Sequence, residues 1–289
     1  MTLTVFDGAG AFLDAVQAAL EEQEVANSLM LGLALGIKRH ARPDLAEHAP
    51  YFAAVSEGGT LAVAALRTPP HHVLVQAVNA DPAAALAPVV DDLAERCPDL
   101  PGVRGPDAVS TAFAEAWTAR TGAPHRPGPR TRAFELRAVT PPPETPGGLR
   151  QATPQDEALL ADWFGRFHRE ALRDESHADF GQIARRRLAA GEVYLWQAGG
   201  APVTMVARSR PTRNGVTVNA VYTPPERRRR GYATAATAAL SQLLLYEGFS
   251  FCTLFTDLAN PTSNKIYQQI GYRPVCDFQE YGFAPAPGR

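Results

Sequence analysis

The sequence predicts an α/β layer fold in two similar halves, on three observations. The second half alternates helical and strand patterns in the order helix, helix, three strands, helix, strand, helix, strand. A shift of 143 residues sets VAALRTPPHHVLVQAV, from Val63, against VARSRPTRNGVTVNAV, from Val206, with 7 of 16 positions identical. Each of these segments reads as two strands joined by a Pro-containing turn, which points to an internal repeat. Between the halves runs AVTPPPETPGGLR, Ala138–Arg150, where prolines remove backbone donors and fix φ while the glycine pair frees it. Few contacts are expected to cross such a stretch, so a first domain is placed at 1–138, a linker at 139–148 and a second domain at 149–289.

The elements of the second half follow from their spacing. QDEALLADWFGRFHREAL has helical periodicity, with Leu159, Leu160, Trp163 and Phe167 on one side. DFGQIARRRLAAGE reads as a second helix with Ile183 and Leu188 inward and Gly191 as its stop. Three strands follow, VYLWQAG, APVTMVARSR and GVTVNAVYT; in the last, alternation puts Val216, Val218, Ala220 and Tyr222 on one face. A helix from about Ala233 to Glu247 ends at Gly248, FSFCTLFTD is a strand, PTSNKIYQQI a short helix stopped by Gly271, and VCDFQEYGF a final strand.

Composition narrows the function classes. At 289 residues, 45% hydrophobic and 20% charged, the chain has a globular make-up, and a net charge of −2 gives no global attraction to nucleic acid or an anionic membrane. Three widely separated cysteines, Cys97, Cys252 and Cys276, fit neither a disulfide framework nor a thiolate metal site and point to a reducing compartment. The N-terminus lacks a basic segment leading an apolar stretch, and no window approaches the roughly 18 apolar residues of a membrane span, so the cytoplasm is the expected location. His168 and His177 are nine residues apart and fit no helical metal-ligand pair, and His71 and His72 read as turn residues.

One stretch concentrates chemistry: VYTPPERRRRGYATAATAAL, Val221–Leu240. A strand ending near Thr223, an arginine- and glycine-containing turn and a helix opening near Ala233 direct unpaired backbone N–H groups outward. The helix dipole adds positive potential there, and glycine lets an anion reach the backbone. Arginines can clamp the outer oxygens of a phosphate. Taken alone, four arginines read as a solvated charge run. A nucleic-acid patch is disfavoured by the slightly acidic chain and by the lack of interleaved aromatics apart from Tyr232.

Two patterns in order change that reading. Arg228-x-x-Gly231-x-Ala233 resembles the pyrophosphate signature of the GCN5-related N-acetyltransferases, and Asn260-x-x-Ser263-x-x-Ile266-Tyr267-x-x-x-Gly271-Tyr272 resembles that family's second pattern. The wording of VYTPPERRRRGYA with TDLANPTSNKIYQQIGY is similar to the FR47-like branch, over most of residues 149 to 283. The resemblance implies tandem domains, each a mixed, mostly antiparallel sheet flanked by helices, the first a degenerate copy. It implies acetyl-CoA as acyl donor and an amine acceptor on a small molecule or peptide; the charge balance, hydropathy and histidine and cysteine spacing above point to no nucleic acid, no membrane and no metal.

By the same resemblance, the backbone amides of Arg229, Arg230, Gly231, Tyr232, Ala233 and Thr234, with the side chains of Arg228 and Arg230, would cradle the diphosphate. A backbone N–H near Val221 or Tyr222 would polarise the thioester carbonyl, and the Tyr267 hydroxyl would meet the sulfur. Asn260, before Pro261 and a helix, reads as an N-cap and would also bond the pantetheine arm. Arg229 stands where many members have glycine. No general base is identified: Glu170, Asp174, Glu175, His177 and Asp179 crowd the link between the first two helices and read most simply as solvated loop charges. The alternative function is a coenzyme A-binding or regulatory protein on the same fold that does not turn over.

Overall fold

The computed structural model describes residues 1–39, 49–78, 81–172 and 178–285, with the side chains of 171 and 172 excepted. Among these residues one element order is traversed twice. The first pass runs β1 (Thr2–Val5), α1 (Ala9–Glu21), α2 (Glu24–Arg39), β2 (Tyr51–Glu57), β3 (Thr60–Arg67), β4 (Val73–Ala77), α3 (Pro82–Arg96), β5 (Gly102–Pro106), α4 (Asp107–Thr121) and β6 (His125–Leu136). The second runs β7 (Gly148–Gln151), α5 (Glu157–Phe167), α6 (Phe180–Ala189), β8 (Val193–Ala198), β9 (Ala201–Ser209), β10 (Gly215–Tyr222), α7 (Tyr232–Tyr246), β11 (Phe251–Asp257), α8 (Pro261–Gln269) and β12 (Arg273–Phe283). The repeated sequence window is β3–β4 in the first pass and β9–β10 in the second.

Contacts divide the chain into two compact units. The first is Met1–Ala133 with Thr256–Asn260 and Pro274–Arg289; the second is Phe134–Phe255 with Pro261–Arg273. The sequence sets the break inside 139–148, whereas this division falls at Ala133/Phe134 and returns β12 to the first unit. There β12 pairs antiparallel with β5, from Phe278 opposite Pro106 to Gly282 opposite Gly102. The approach is close enough to need glycine, since a Cβ on Gly102 would collide with the carbonyl oxygen of Tyr281.

In the first unit the strand order is β1-β2-β3-β4-β5-β12, antiparallel except for β4 with β5. Both faces are covered, which explains why Tyr51–Val55 is apolar without a break. Phe52 and Ala54 pack with Phe12, Leu13 and Leu31 of α1 and α2, and Tyr51, Ala53 and Val55 pack with Leu86, Phe113 and Trp117 of α3 and α4.

In the second unit the order is β11-β10-β9-β8-β7, antiparallel except for β10 with β11. One face buries Val216, Val218 and Leu254 with Ala236, Leu240 and Leu244 of α7, and the other buries Leu195 and Met205 with Leu160, Trp163 and Phe164 of α5.

The start of α5 is tied to β7 by Asp156, which accepts from the backbone N–H of Thr153 at 2.8 Å and from both Arg150 Nη atoms at 2.8 Å. Those Arg150 bonds, against the upward push of burial, lower the Asp156 carboxyl to about 2. Because the folded value lies below the unfolded one, the stabilisation is complete above about pH 4 and is lost as pH falls toward 2. At roughly 1.4 kcal/mol per unit the contribution is about 2.5 kcal/mol. Asp156→Asn is expected to lose this at neutral pH and to flatten the acid limb of melting temperature against pH; an unchanged limb would refute the assignment.

Candidate active site

The site is built on an irregularity in β10. Its parallel ladder with β11 covers three pairs, Gly215–Phe251, Val216–Cys252 and Thr217–Thr253. On the other side Asn219 lies opposite Ala207 and Tyr222 opposite Met205, so three steps of β10 match two of β9 and one residue is extra. Ala220 absorbs the difference at φ +49. Such a bulge takes a backbone unit out of the ladder and turns the strand.

The bulge also corrects the alternation expected from sequence. Val216 and Val218 face the cluster under α7, but Ala220 and Tyr222 face the cluster under α5, and Val221 takes their place at the edge of the first. A one-residue slip reverses every following side chain. Side chains pin the irregularity. Asn219 Nδ2 donates to Ser209 Oγ at 2.8 Å, Arg187 Nη1 donates to Asn219 Oδ1 at 3.3 Å, and the Thr204 and Thr223 hydroxyls meet at 2.8 Å. At the last rung of the parallel ladder, Thr217 and Thr253 are buried and their hydroxyls have no hydrogen-bond partner among the described residues.

Beyond β10 a single 3-10 turn, Pro225–Arg227, leads to Arg228 in extended conformation, and two left-handed residues then open α7: Arg229 at φ +62 and Gly231 at φ +79. Arg229 thus holds a glycine-like conformation, at a cost of about 1–2 kcal/mol for a residue with a Cβ. Arg229→Gly is expected to raise the melting temperature by about 2–4 °C, since relief of strain exceeds the added freedom of the unfolded chain. A lower melting temperature would refute the strain.

No side chain caps the start of α7, where Gly231 is the N-cap and its carbonyl accepts the first helical bond from Ala235 N–H at 2.9 Å. A Cβ on Gly231 would stand 2.9 Å from Thr145 Oγ1. Arg227, Arg229 and Arg230 are exposed, and Tyr232, Ala233 and Thr234 are half-buried. The first unit differs at its corresponding helix: Asp81 caps α3 and its carboxylate accepts from Ala83 N–H at 3.2 Å, filling that helix start with the chain's own anion.

Arg228 is engaged within the chain. Its Nε donates to the Thr223 carbonyl at 2.8 Å and its Nη2 to Glu170 Oε2 at 2.5 Å, with the guanidinium 5.8 Å from the Tyr222 ring centre. Tyr222 Oη donates to the other Glu170 oxygen at 3.1 Å. Burial pushes the Glu170 carboxyl up, but the bonds from Arg228 and Tyr222 outweigh it, so the net shift is downward. Burial, then Glu170, raises the Tyr222 phenol. Glu170 is therefore a seated residue, which its position in a charged loop-like stretch did not reveal. Asp179 caps α6 by accepting from Gln182 N–H at 2.9 Å, and Asp174, Glu175 and His177 lie outside the described residues.

Tyr267, on α8, is half-buried at the rim of the cluster that Val221 and Tyr232 also edge, and its ring meets Tyr272 edge-on at 6.0 Å. Burial pushes its phenol up to about 12, against a hydrogen bond with Ser263 that works to lower it. Asn260 precedes α8, donates its backbone N–H to the Asp257 carbonyl at 3.0 Å and groups by contact with the first unit, apart from the other candidate residues. Among the described residues no His, Cys, Asp or Glu group is placed to hold a metal, and no helix is long and apolar enough to cross a membrane.

Residues 200–281 match the family model described as FR47-like protein. No curated protein matches the sequence. Among solved structures, a Drosophila protein aligns with a TM-score of 0.66 at 14% identity over 98% of this chain and 99% of its own. A GCN5-related N-acetyltransferase from Sphaerobacter thermophilus aligns at 0.63 and 16% identity, over 99% and 97%. A tandem GNAT protein from the clavulanic acid biosynthesis pathway aligns at 0.57 and 16% identity, over the whole of both chains. At such identities the likeness is one of fold. The chain has the GCN5-related N-acetyltransferase fold in its tandem form, with an FR47-like segment in the second half.

Proposed function

We propose that the chain is an acetyl-CoA-dependent N-acetyltransferase that moves the acetyl group to a primary amine by direct attack in a ternary complex. The region from residue 149 onward carries the chemistry, and the first half is a degenerate copy. The observation that carries the reading is the run of bulge, left-handed turn and uncapped helix start between Ala220 and Tyr232. A diphosphate fits there because the amides of Arg229 to Thr234 open a helix with no side-chain cap, behind a glycine in the left-handed conformation. Arg228 and Arg230 supply charge at the same turn.

A backbone N–H of Val221 or Tyr222, beside the bulge, is the donor to the thioester carbonyl, and a fixed dipole of this kind is typically worth about 100- to 1000-fold in rate. The amine nitrogen bonds to the carbonyl carbon, the carbon–sulfur bond breaks, and the proton shed by the amine leaves through solvent. Tyr267 serves the departing sulfur. With the phenol at about 12 and a thiol near 8.5, full proton transfer is uphill by about 5 kcal/mol, so Tyr267 acts mainly as a hydrogen-bond donor to a thiolate.

The test is two measurements on the full chain. Acetyl-CoA is expected to raise the melting temperature, because a ligand of the native state stabilises it, and to release thiol with at least one class in a panel of small amines and peptides. No shift at saturating donor together with no thiol release would refute the reading. A shift without release would mark a coenzyme A-binding protein that does not turn over.

A further inference from the structure

Arg228 is the first residue of the anion-turn pattern, yet its guanidinium is committed elsewhere: to the Thr223 carbonyl, to Glu170, and against the Tyr222 ring. Glu170 lies in the helical segment His168–Leu172 that extends α5, 58 positions earlier in the chain. Its two carboxylate oxygens are divided between Arg228 and Tyr222, so one acid joins the α5 extension to the end of the bulged strand and to the turn that follows. Both members of the ion pair are about two-fifths exposed, at 43% and 42%. An ion pair so open to solvent is weak enough for another anion to displace.

We propose that Glu170 is a positioning residue for Arg228: its carboxylate holds the guanidinium over the end of β10, and a diphosphate bound at the turn before α7 takes the guanidinium over. This rests on the donor reading above. Donor affinity is then set by competition between two anions for one arginine. Coupling of this kind is reciprocal, so the arriving diphosphate loosens Glu170 from the turn by as much as Glu170 weakens the diphosphate. Once relinquished, Glu170 keeps only the hydrogen bond from Tyr222 among the contacts described above. The sign of the effect separates this role from simple structural support, because damage to the α5 extension would weaken the donor, whereas removal of a competitor strengthens it.

The experiment is calorimetric titration of coenzyme A into the full chain and into Glu170→Gln, Arg228→Gln and the double variant. Glu170→Gln is expected to tighten coenzyme A about two- to fivefold, the range of an exposed ion pair, with a smaller gain at high salt. Arg228→Gln is expected to weaken binding about tenfold, and in that background Glu170→Gln should change nothing. Unchanged or weaker binding by Glu170→Gln, or the same gain with Arg228 already removed, would overturn the competition. Failure of coenzyme A to bind the unaltered chain would overturn the donor reading and this inference with it; binding that ignores Glu170 would overturn this inference alone.

Discussion

Replacing Gly231 with valine is expected to weaken coenzyme A about 100-fold and to lower the melting temperature by about 4 to 8 °C. The two effects have separate causes. At φ +79 a β-branched residue is forced into the left-handed region at about 2 kcal/mol, and its Cβ would meet Thr145 Oγ1 at 2.9 Å, so the fold itself is taxed. The backbone shift that relieves the contact with Thr145 re-aims the uncapped amides at the start of α7, and loss of two charge-assisted bonds to a diphosphate at about 1.5 kcal/mol each gives the hundredfold. Paired calorimetry and thermal denaturation separate these effects. A valine variant that melts early yet binds coenzyme A within threefold of the original would place the donor elsewhere.

Tyr267→Phe is expected to lower kcat about 100-fold while leaving coenzyme A affinity within twofold. General acid assistance spans about 100- to 10,000-fold, and a phenol held at about 12 belongs at the low end because it lends a hydrogen bond more readily than a proton. The direction of that shift also fixes the pH dependence: the group stays protonated through pH 10, so no alkaline loss of rate below that point should come from Tyr267. Steady-state rates of thiol release from pH 6 to 10, set beside donor titrations, test both statements. A phenylalanine variant with full kcat would leave Tyr267 as a packing residue against Tyr272.

The parts of this site that were legible in sequence are local ones. Gly231, the arginines beside it and the pattern ending at Gly271 and Tyr272 announce themselves through residue type and short spacing, and they lie at a helix start and a helix stop as such residues require. The left-handed conformation of Arg229 has no signal in the sequence beyond the departure from glycine at that position. Ala220 gave no sign, because alanine in a run of valines reads as plain strand, yet its positive φ decides which way Tyr222 faces. Tyr222 in turn meets Glu170 across 52 positions, and Arg228 meets it across 58, distances at which no periodicity reports a contact. The partner of β12 was hidden for a related reason: half-buried strand residues look the same beside any neighbour.

The placement of β12 bears on how such a protein can be divided or inherited. A gene trimmed at the proline-rich connector would encode a first half whose fifth strand has lost its antiparallel neighbour, leaving a row of bare amide and carbonyl groups that invites self-association. A strand from beyond the connector thus acts as a staple for the first unit. The first unit, whose helix α3 is sealed by Asp81, is complete only with a strand encoded beyond that connector.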